Sequence, residues 1–325
     1  MYIVTGASGL IGSALVWALN QRGKDAILAV DHLGTSEKWK NLRALKFNDY
    51  LEKDTFRKLL QENKLKGSQI EAILHMGACS STTEKDATYL IDNNFEYTKE
   101  LASFATENSI RFLYASSSAT YGDGANGFID SEADLEKLRP LNMYGYSKQI
   151  FDLWAKRQGL LDKIAGLKFT NVFGPNEYHK DDMRSVVVKS FEQVRDTGKI
   201  KLFKSYKPEY KDGEQMRDFL YVKDAVDMVL AIMDDKSVNG IFNIGSGRAE
   251  TWNSLANAVF SAMGKKPVVE YVEMPEHLKD KYQYYTKAAM EKFQNRCGEK
   301  ECRTLADSVG DYVKNYLIPG RHLGD

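Results

Sequence analysis

Cysteine is scarce in this 325-residue chain. The three present, Cys79, Cys297 and Cys302, are too few and too scattered for a disulfide framework. No CxxC pair occurs. Cys297 and Cys302 have no companion Cys/His pair at metal-ligand spacing, so they read as free thiols and no metal is expected. Net charge is missing too: 45 Lys and Arg balance 45 Asp and Glu. No long-range field therefore favours nucleic acid or an anionic membrane, although a local basic pocket stays open. The apolar runs fall short of the roughly 18–20 residues that a bilayer span needs. Residues 1–4 already read as a strand, without a charged leader or an apolar signal stretch. The expectation is a cytoplasmic protein with neither nucleic-acid nor membrane partners.

The chain is long enough for one large α/β unit and a smaller lobe. Apolar, β-branched runs at 2–5, 26–31, 72–75, 112–116 and 164–169 alternate with amphipathic stretches at 10–22, 54–63, 89–107 and 144–160. Such alternation predicts βαβ units with right-handed crossovers: a Rossmann-like, doubly wound parallel sheet. Beyond about residue 175 the rhythm is irregular. An amphipathic segment at 183–195 precedes a polar loop at 205–215, strands are expected at 219–222 and 241–244, and a helix at 251–263. Residues 1–175 are assigned to the dinucleotide-binding domain, with a return segment near 217–245. Residues 176–325 are assigned mainly to a smaller C-terminal substrate-binding lobe.

The run GASGLIG at 6–12 follows a strand and opens a helix, the context in which a glycine pattern marks a dinucleotide site. Gly6 suits a tight strand-to-helix turn, Gly9 a close backbone approach to pyrophosphate, and Gly12 tight helix packing. Asp31 lies nineteen residues beyond Gly12, at the end of the next strand candidate, where an acid grips the adenosine ribose. That carboxylate favours NAD. Lys38 and Lys53 could instead draw a 2′-phosphate, so NAD and NADP both remain open at this point. The small residues of Gly77, Ala78, Cys79 and Ser80, with Met76 before them, suit a backbone running beside the cofactor, and Asn93 could contact the same strand ends.

Tyr144 and Lys148 form a YxxxK pair that a helix places on one face. A phenol titrates ordinarily at about 10, and a nearby ammonium and a cationic nicotinamide would bring it down. Upstream, 116–122 supplies a run of serines at a strand end, one of which would hydrogen-bond the reacting oxygen. Asn171 to Pro175 closes a further strand, and Tyr178, His179 and Lys180 follow on a loop. Lys180, directly after a strand end, is a second acid/base candidate if desolvation lowers its pKa. Arg217 is suited to clamp a diphosphate with its planar fork.

These residues resemble the extended short-chain dehydrogenase/reductases that act on nucleotide sugars, and among them the ADP-heptose 6-epimerases of lipopolysaccharide inner-core synthesis. The matches are HxGACSSTTE at 75–84, DNN at 92–94, ASSSATYG at 115–122, YGYSK at 144–148, NVFGP at 171–175 with the following His179 and Lys180, IFNIGSGRAE at 241–250 and KYQYYT at 281–286. The resemblance implies Tyr144 and Lys180 as two acid/base groups, Ser117 (five residues before Gly122) as their helper, and Lys148 on the nicotinamide ribose. It implies a cofactor lining of Leu10, Ile11, Asp31, His32, Lys38, Lys53, Met76 to Ser80, Asn93 and Val172. Asn171, Phe203, Arg217 and Tyr282 would meet an ADP-heptose substrate. The family's preference for NADP returns weight to Lys38 and Lys53, and homo-oligomers, commonly pentamers, are implied. Departures stand at His32, Met76, Asp182 and Lys189, and the loop between Phe203 and Arg217 is longer than the family's. The rivals are a nucleotide-sugar 4-epimerase, a 4,6-dehydratase and a non-catalytic dinucleotide-binding regulator. Ala119 and Thr120 lack the acidic pair a dehydratase needs, and the Ser117/Tyr144/Lys148 set argues against a regulator.

Overall fold

The computed structural model describes residues 1–65, 68–279 and 282–325. Lys281, at the head of the KYQYYT run, lies outside the described residues. The strands in chain order are β1 (Tyr2–Thr5), β2 (Ile27–Asp31), β3 (Asp49–Glu52), β4 (Ala72–His75), β5 (Arg111–Ser117) and β6 (Ile164–Phe169). Shorter ones follow: β7 (Asn171–Phe173), β8 (Ile200–Phe203), β9 (Met216–Arg217), β10 (Phe219–Tyr221), β11 (Gly240–Ile244), β12 (Glu250–Thr251) and β13 (Val269–Val272). Seven strands build one parallel sheet in the order β11-β6-β5-β4-β1-β2-β3. The strands β1, β2, β4, β6 and β11 are buried along their whole length, as a parallel sheet covered on both faces requires.

Helices cover the two faces. On one side lie α1 (Leu10–Gln21) and, later in the chain, a helix over Val222–Asp234. The other carries α2 (Lys53–Gln61), α3 (Ala87–Leu90), α4 (Tyr97–Glu107) and α5 (Met143–Arg157). Strand alternation divides the core accordingly. Val4, Ala29 and Leu74 join the first cluster, whereas Ile3, Val30 and Ile73 join the second. The helix expected over 89–107 is interrupted: α3 runs into a π-helical segment, Ile91–Glu96, before α4 begins. The remaining elements include α6 (Val186–Thr197), α8 (Trp252–Ala262) and the parallel pair β8–β13, while α7 is the Val222–Asp234 helix that returns to the sheet. None of the described helices is long and apolar enough to cross a membrane.

From β1 the chain moves outward to β2 and β3, then returns to place β4 on the other side of β1. That reversal leaves a crevice beyond the carboxyl ends of β1 and β4, the place where open α/β sheets bind ligands. Gly12 makes the crevice possible, because a Cβ there would come within 2.0 Å of the Gly6 carbonyl oxygen. Gly310, inside a helix over Leu305–Tyr312, has nothing within 4 Å of a Cβ. Gly12→Ala should therefore lose about 1–3 kcal/mol in urea unfolding. Gly310→Ala should gain up to about 1 kcal/mol from helix propensity. Equal effects of the two substitutions would contradict this packing.

Candidate active site

Gly6 leaves β1 with φ +64°, and a Cβ on it would lie 2.7 Å from the Gly77 nitrogen. The glycine loop and the segment after β4 thus pass backbone to backbone. Gly77 N donates to Thr5 Oγ1, which also lies 2.6 Å from His75 Nδ1. His75 meets Thr98 with its other nitrogen, and burial holds its pKa well below the ordinary value, so the ring is a neutral tie between layers. Helix α1 begins at Gly9 without a side-chain cap. Its first N–H groups therefore face the cleft with the positive end of the helix dipole, as a pyrophosphate requires.

The cleft above these loops has a volume of about 730 Å³. Gly6, Gly9, Leu10, Ile11, Gly12, Asp31, His32, Lys38, Met76 to Ser80, Ser117, Tyr144, Lys148, Asn171, Val172 and Lys180 all line it. A cavity of about 130 Å³ adjoins it, lined by Asp31, His32, Lys38, Lys53, Cys79 and Asn93 among others. Asp31 is saturated: Oδ2 accepts from Ser8 N and Oγ, and Oδ1 from His32 N and Lys38 Nζ at 2.7 Å. Asp31, the acid expected to grip the ribose, lines the cleft, holds the glycine loop and pairs with Lys38. Lys53 Nζ donates to Asn93 Oδ1 at 3.0 Å. Both lysines therefore stand at one small cavity rather than as solvated surface.

Helix α5 starts at Asn142, whose side chain accepts from Gly145 N at 2.8 Å. A Cβ on Gly145 would come within 2.8 Å of the Ala119 carbonyl, so this glycine lets the helix abut the turn at Ser118–Tyr121. Tyr144 and Lys148 face the cleft one turn apart. Lys148 is 3% exposed, has no ion-pair partner among the described residues, and is brought down to about 8 by burial, against the opposing charge of Asp152. Burial pushes the Tyr144 phenol up, and the Ser117 hydroxyl beside it works the other way. Desolvation of the phenolate thus outweighs the lowering by Ser117. An unpaired buried ammonium, a neutralised acid and an uncapped helix end fit a nicotinamide dinucleotide.

Two sets of residues beneath the site escaped the sequence reading. Asn94, in the π-helical segment, accepts from Cys79 N and donates to Cys79 O, both at 2.9 Å, and also donates to Ser147 Oγ on α5. It ties the loop after β4 to the helix of Tyr144. Asp152 and Lys168 form an ion pair at 2.8 Å with both side chains at 0% exposure. Asp152, one turn beyond Lys148, also accepts from Tyr114 and Ser116 of β5. Lys168 on β6 donates to Thr120 Oγ1, which itself donates to the Ser117 carbonyl. The DNN run and the YxxxK spacing pointed at the neighbourhood, but no local pattern pairs position 152 with 168.

Lys180 sits in a 3₁₀ turn, Tyr178–Met183, after β7. Burial lowers its pKa against the attraction of Glu177, and burial also takes His179 down to about 4. Lys189 Nζ donates to the Asp182 carbonyl at 2.6 Å, and neither residue lines the cleft. Phe203, Arg217 and Tyr282 also lie outside both cavities. Arg217 is 8% exposed, with its guanidinium 5.0 Å from the Tyr282 ring and 5.7 Å from that of Trp252. Trp252 Nε1 donates to the Tyr282 hydroxyl. This cluster adjoins the cleft through the β7–β10 pair, in which Asn171 faces Phe219.

A glycine loop, a helix-borne Tyr/Lys pair and a strand-end serine around one crevice define a dinucleotide-dependent enzyme of the short-chain dehydrogenase type. Residues 2–245 match the NAD dependent epimerase/dehydratase family, and the chain belongs to it. An ADP-L-glycero-D-manno-heptose-6-epimerase of Nitratidesulfovibrio vulgaris is 52% identical over 317 residues, covering 98% of both chains. Its namesake in Fusobacterium nucleatum is 48% identical, again over 98% of each. The structure of the Helicobacter pylori ADP-L-glycero-D-manno-heptose-6-epimerase superposes with a TM-score of 0.80 at 23% identity, covering 97% of this chain and 95% of that one. A UDP-glucose 4-epimerase of Thermotoga maritima gives 0.79 at 23% identity, covering 98% and 99%. These two structures share the fold.

If Lys148 holds the dinucleotide, binding should depend on pH. Its folded pKa of about 8 lies below the ordinary lysine value, so the charged form disappears as pH rises through 8. Nicotinamide dinucleotide affinity, titrated by fluorescence from pH 7 to 9.5, should fall across that range. Lys148→Met should bind weakly with no such pH dependence. A flat profile in the unsubstituted protein would contradict this role.

Proposed function

We propose that the protein inverts C6 of the heptose in ADP-D-glycero-D-manno-heptose, giving ADP-L-glycero-D-manno-heptose for the lipopolysaccharide inner core. The observation that carries this reading is the meeting of Tyr144, on α5, and Lys180, in the turn after β7, at one cleft that also holds the glycine loop. One side chain cannot serve both faces of a carbon, and inversion needs a proton acceptor and a donor on opposite sides. The substrate name of relatives 48–52% identical along almost the whole chain supports the same sugar.

When bound, a nicotinamide would supply a reversible hydride acceptor, so that the C6 alcohol could be oxidised to a ketone and reduced again without net redox change. Lys148 holds the nicotinamide ribose. Ser117 hydrogen-bonds the reacting oxygen and lowers the demand on Tyr144. Lys180, with a pKa lowered by burial, exchanges a proton on the other face. Arg217 and Tyr282 meet the nucleotide's diphosphate side. NADP is the cofactor we assign, because Lys38 cancels Asp31 and stands with Lys53 at the small cavity. Residues 1–175 with the return near 217–245 hold the cofactor, and 176–325 mainly the sugar nucleotide. A cytoplasmic homo-oligomer, a pentamer by resemblance, completes the reading.

The test is incubation with ADP-D-glycero-D-manno-heptose, followed by proton NMR of the C6 position. The protein should form the L-glycero epimer, and Tyr144→Phe and Lys180→Met should each slow it by about 100-fold or more. Wild-type rates in both variants would sink the two-base assignment, and turnover of UDP-sugars alone would favour a 4-epimerase. Separately, Lys38→Ala and Lys53→Ala should weaken NADP binding about tenfold and NAD binding much less. Equal losses for both dinucleotides would overturn the NADP assignment.

A further inference from the structure

Asn41 is 1% exposed and lines neither cavity, yet it joins four separate segments. Its Nδ2 donates to the carbonyl oxygens of Ser8 and Asn176, both at 2.8 Å, and lies 3.3 Å from His179 Nδ1. Its Oδ1 lies 2.8 Å from His322 Nδ1, which acts as the donor. Asn176 is fully buried with φ +78°, a conformation that needs outside support. That support is a hydrogen bond from its Nδ2 to Ser13 Oγ on α1 and one from Leu323 N to its Oδ1. Tyr178 donates to the Arg321 carbonyl, and its ring meets the His322 ring edge to face at 5.0 Å. Every one of these contacts converges on the segment that carries Lys180 or on the glycine loop it faces.

We propose that Asn41, Asn176 and the segment 321–323 form a latch that holds the Lys180 turn against the glycine loop, with Asn41 and His322 as positioning residues. The bonds are directional and buried, so they fix the turn in a way that apolar packing alone would not. The turn itself gives little packing support, since residues 178–183 are half-buried or exposed, whereas Asn41, Asn176, His322 and Leu323 beneath it are buried. Asp181 has φ 43° inside the same turn, a second position where the backbone must be held. Loss of the latch leaves Tyr144, Ser117 and Lys148 in place, because those rest on α5 and β5 instead.

This inference depends on Lys180 being an acid/base group, and the experiment separates the two. His322→Leu keeps an apolar side chain against Tyr178 and removes only the donor to Asn41. A second variant ends the chain after Gly320. In both, kcat for epimerisation should fall about tenfold or more with KM changed less than about threefold, since small misplacements of a reacting group act on the chemical step. Hydrogen exchange should quicken in 176–183 and stay unchanged in 143–157. Placed on a Lys180→Met background, His322→Leu should add no further loss. Unaltered kcat and exchange in folded variants would overturn the latch, as would a uniform loss of protection along the chain. A further tenfold loss on the Lys180→Met background would show that the tail acts elsewhere. If Lys180→Met alone keeps full activity, the acid/base reading fails, while exchange in 176–183 still reports on the latch.

Discussion

An ion pair sealed from solvent, Asp152 with Lys168, underlies the geometry of the cleft. It sits where three elements meet: α5, the end of β5 and the end of β6. Asp152 takes hydrogen bonds from two β5 side chains, while Lys168 reaches through Thr120 to the backbone of Ser117. A buried pair of this kind is weak evidence for extra stability, because desolvating two charges offsets their attraction. Its value lies in direction. With the acid on the helix and the base on the sheet, α5 has one register in which both charges are satisfied. That register sets Tyr144 beside Ser117 and places Lys148 in the same cleft.

The electrostatics of the cleft follow from the same burial. Desolvation lowers Lys148, Lys180 and His179 and raises Tyr144. Burial thus works against the charged form of each of these groups, the direction that suits groups trading protons near neutral pH. The positive end of α1 and the lysines at 38 and 53 keep their attraction for phosphate at the opposite end. On the proposed reading, charge serves the dinucleotide's phosphates and the desolvated groups serve the sugar carbon.

The local patterns in the sequence were read well where they have a short period. Glycine spacing at 6, 9 and 12, the i to i+4 step from Tyr144 to Lys148, and apolar runs such as 72–75 all depend on neighbours along the chain. Strand β3 was missed because Asp49–Glu52 is a short, partly exposed edge with acids at both ends, and it is recruited by pairing with β2. The π-helical turn at 91–96 was read as plain helix, since one inserted residue leaves the 3.6-residue periodicity almost intact. Asp31 is legible as a strand-end acid, but its hydrogen bonds to Ser8 and Lys38 emerge only when β2 is laid beside β1. Asn41, Asn94, Asp152 and Lys168 belong to the same class, because their partners lie far away in sequence and share no spacing rule with them.

The central claim is that hydride leaves C6 and returns to the other face of the same carbon. The measurement is turnover of ADP-D-glycero-D-manno-heptose deuterated at C6, in ordinary water, with mass spectrometry of the epimer. The account predicts that deuterium stays at C6 of the product, because the hydrogen never exchanges with solvent. Loss of the label to water would mean inversion by deprotonation at carbon, and would contradict the account.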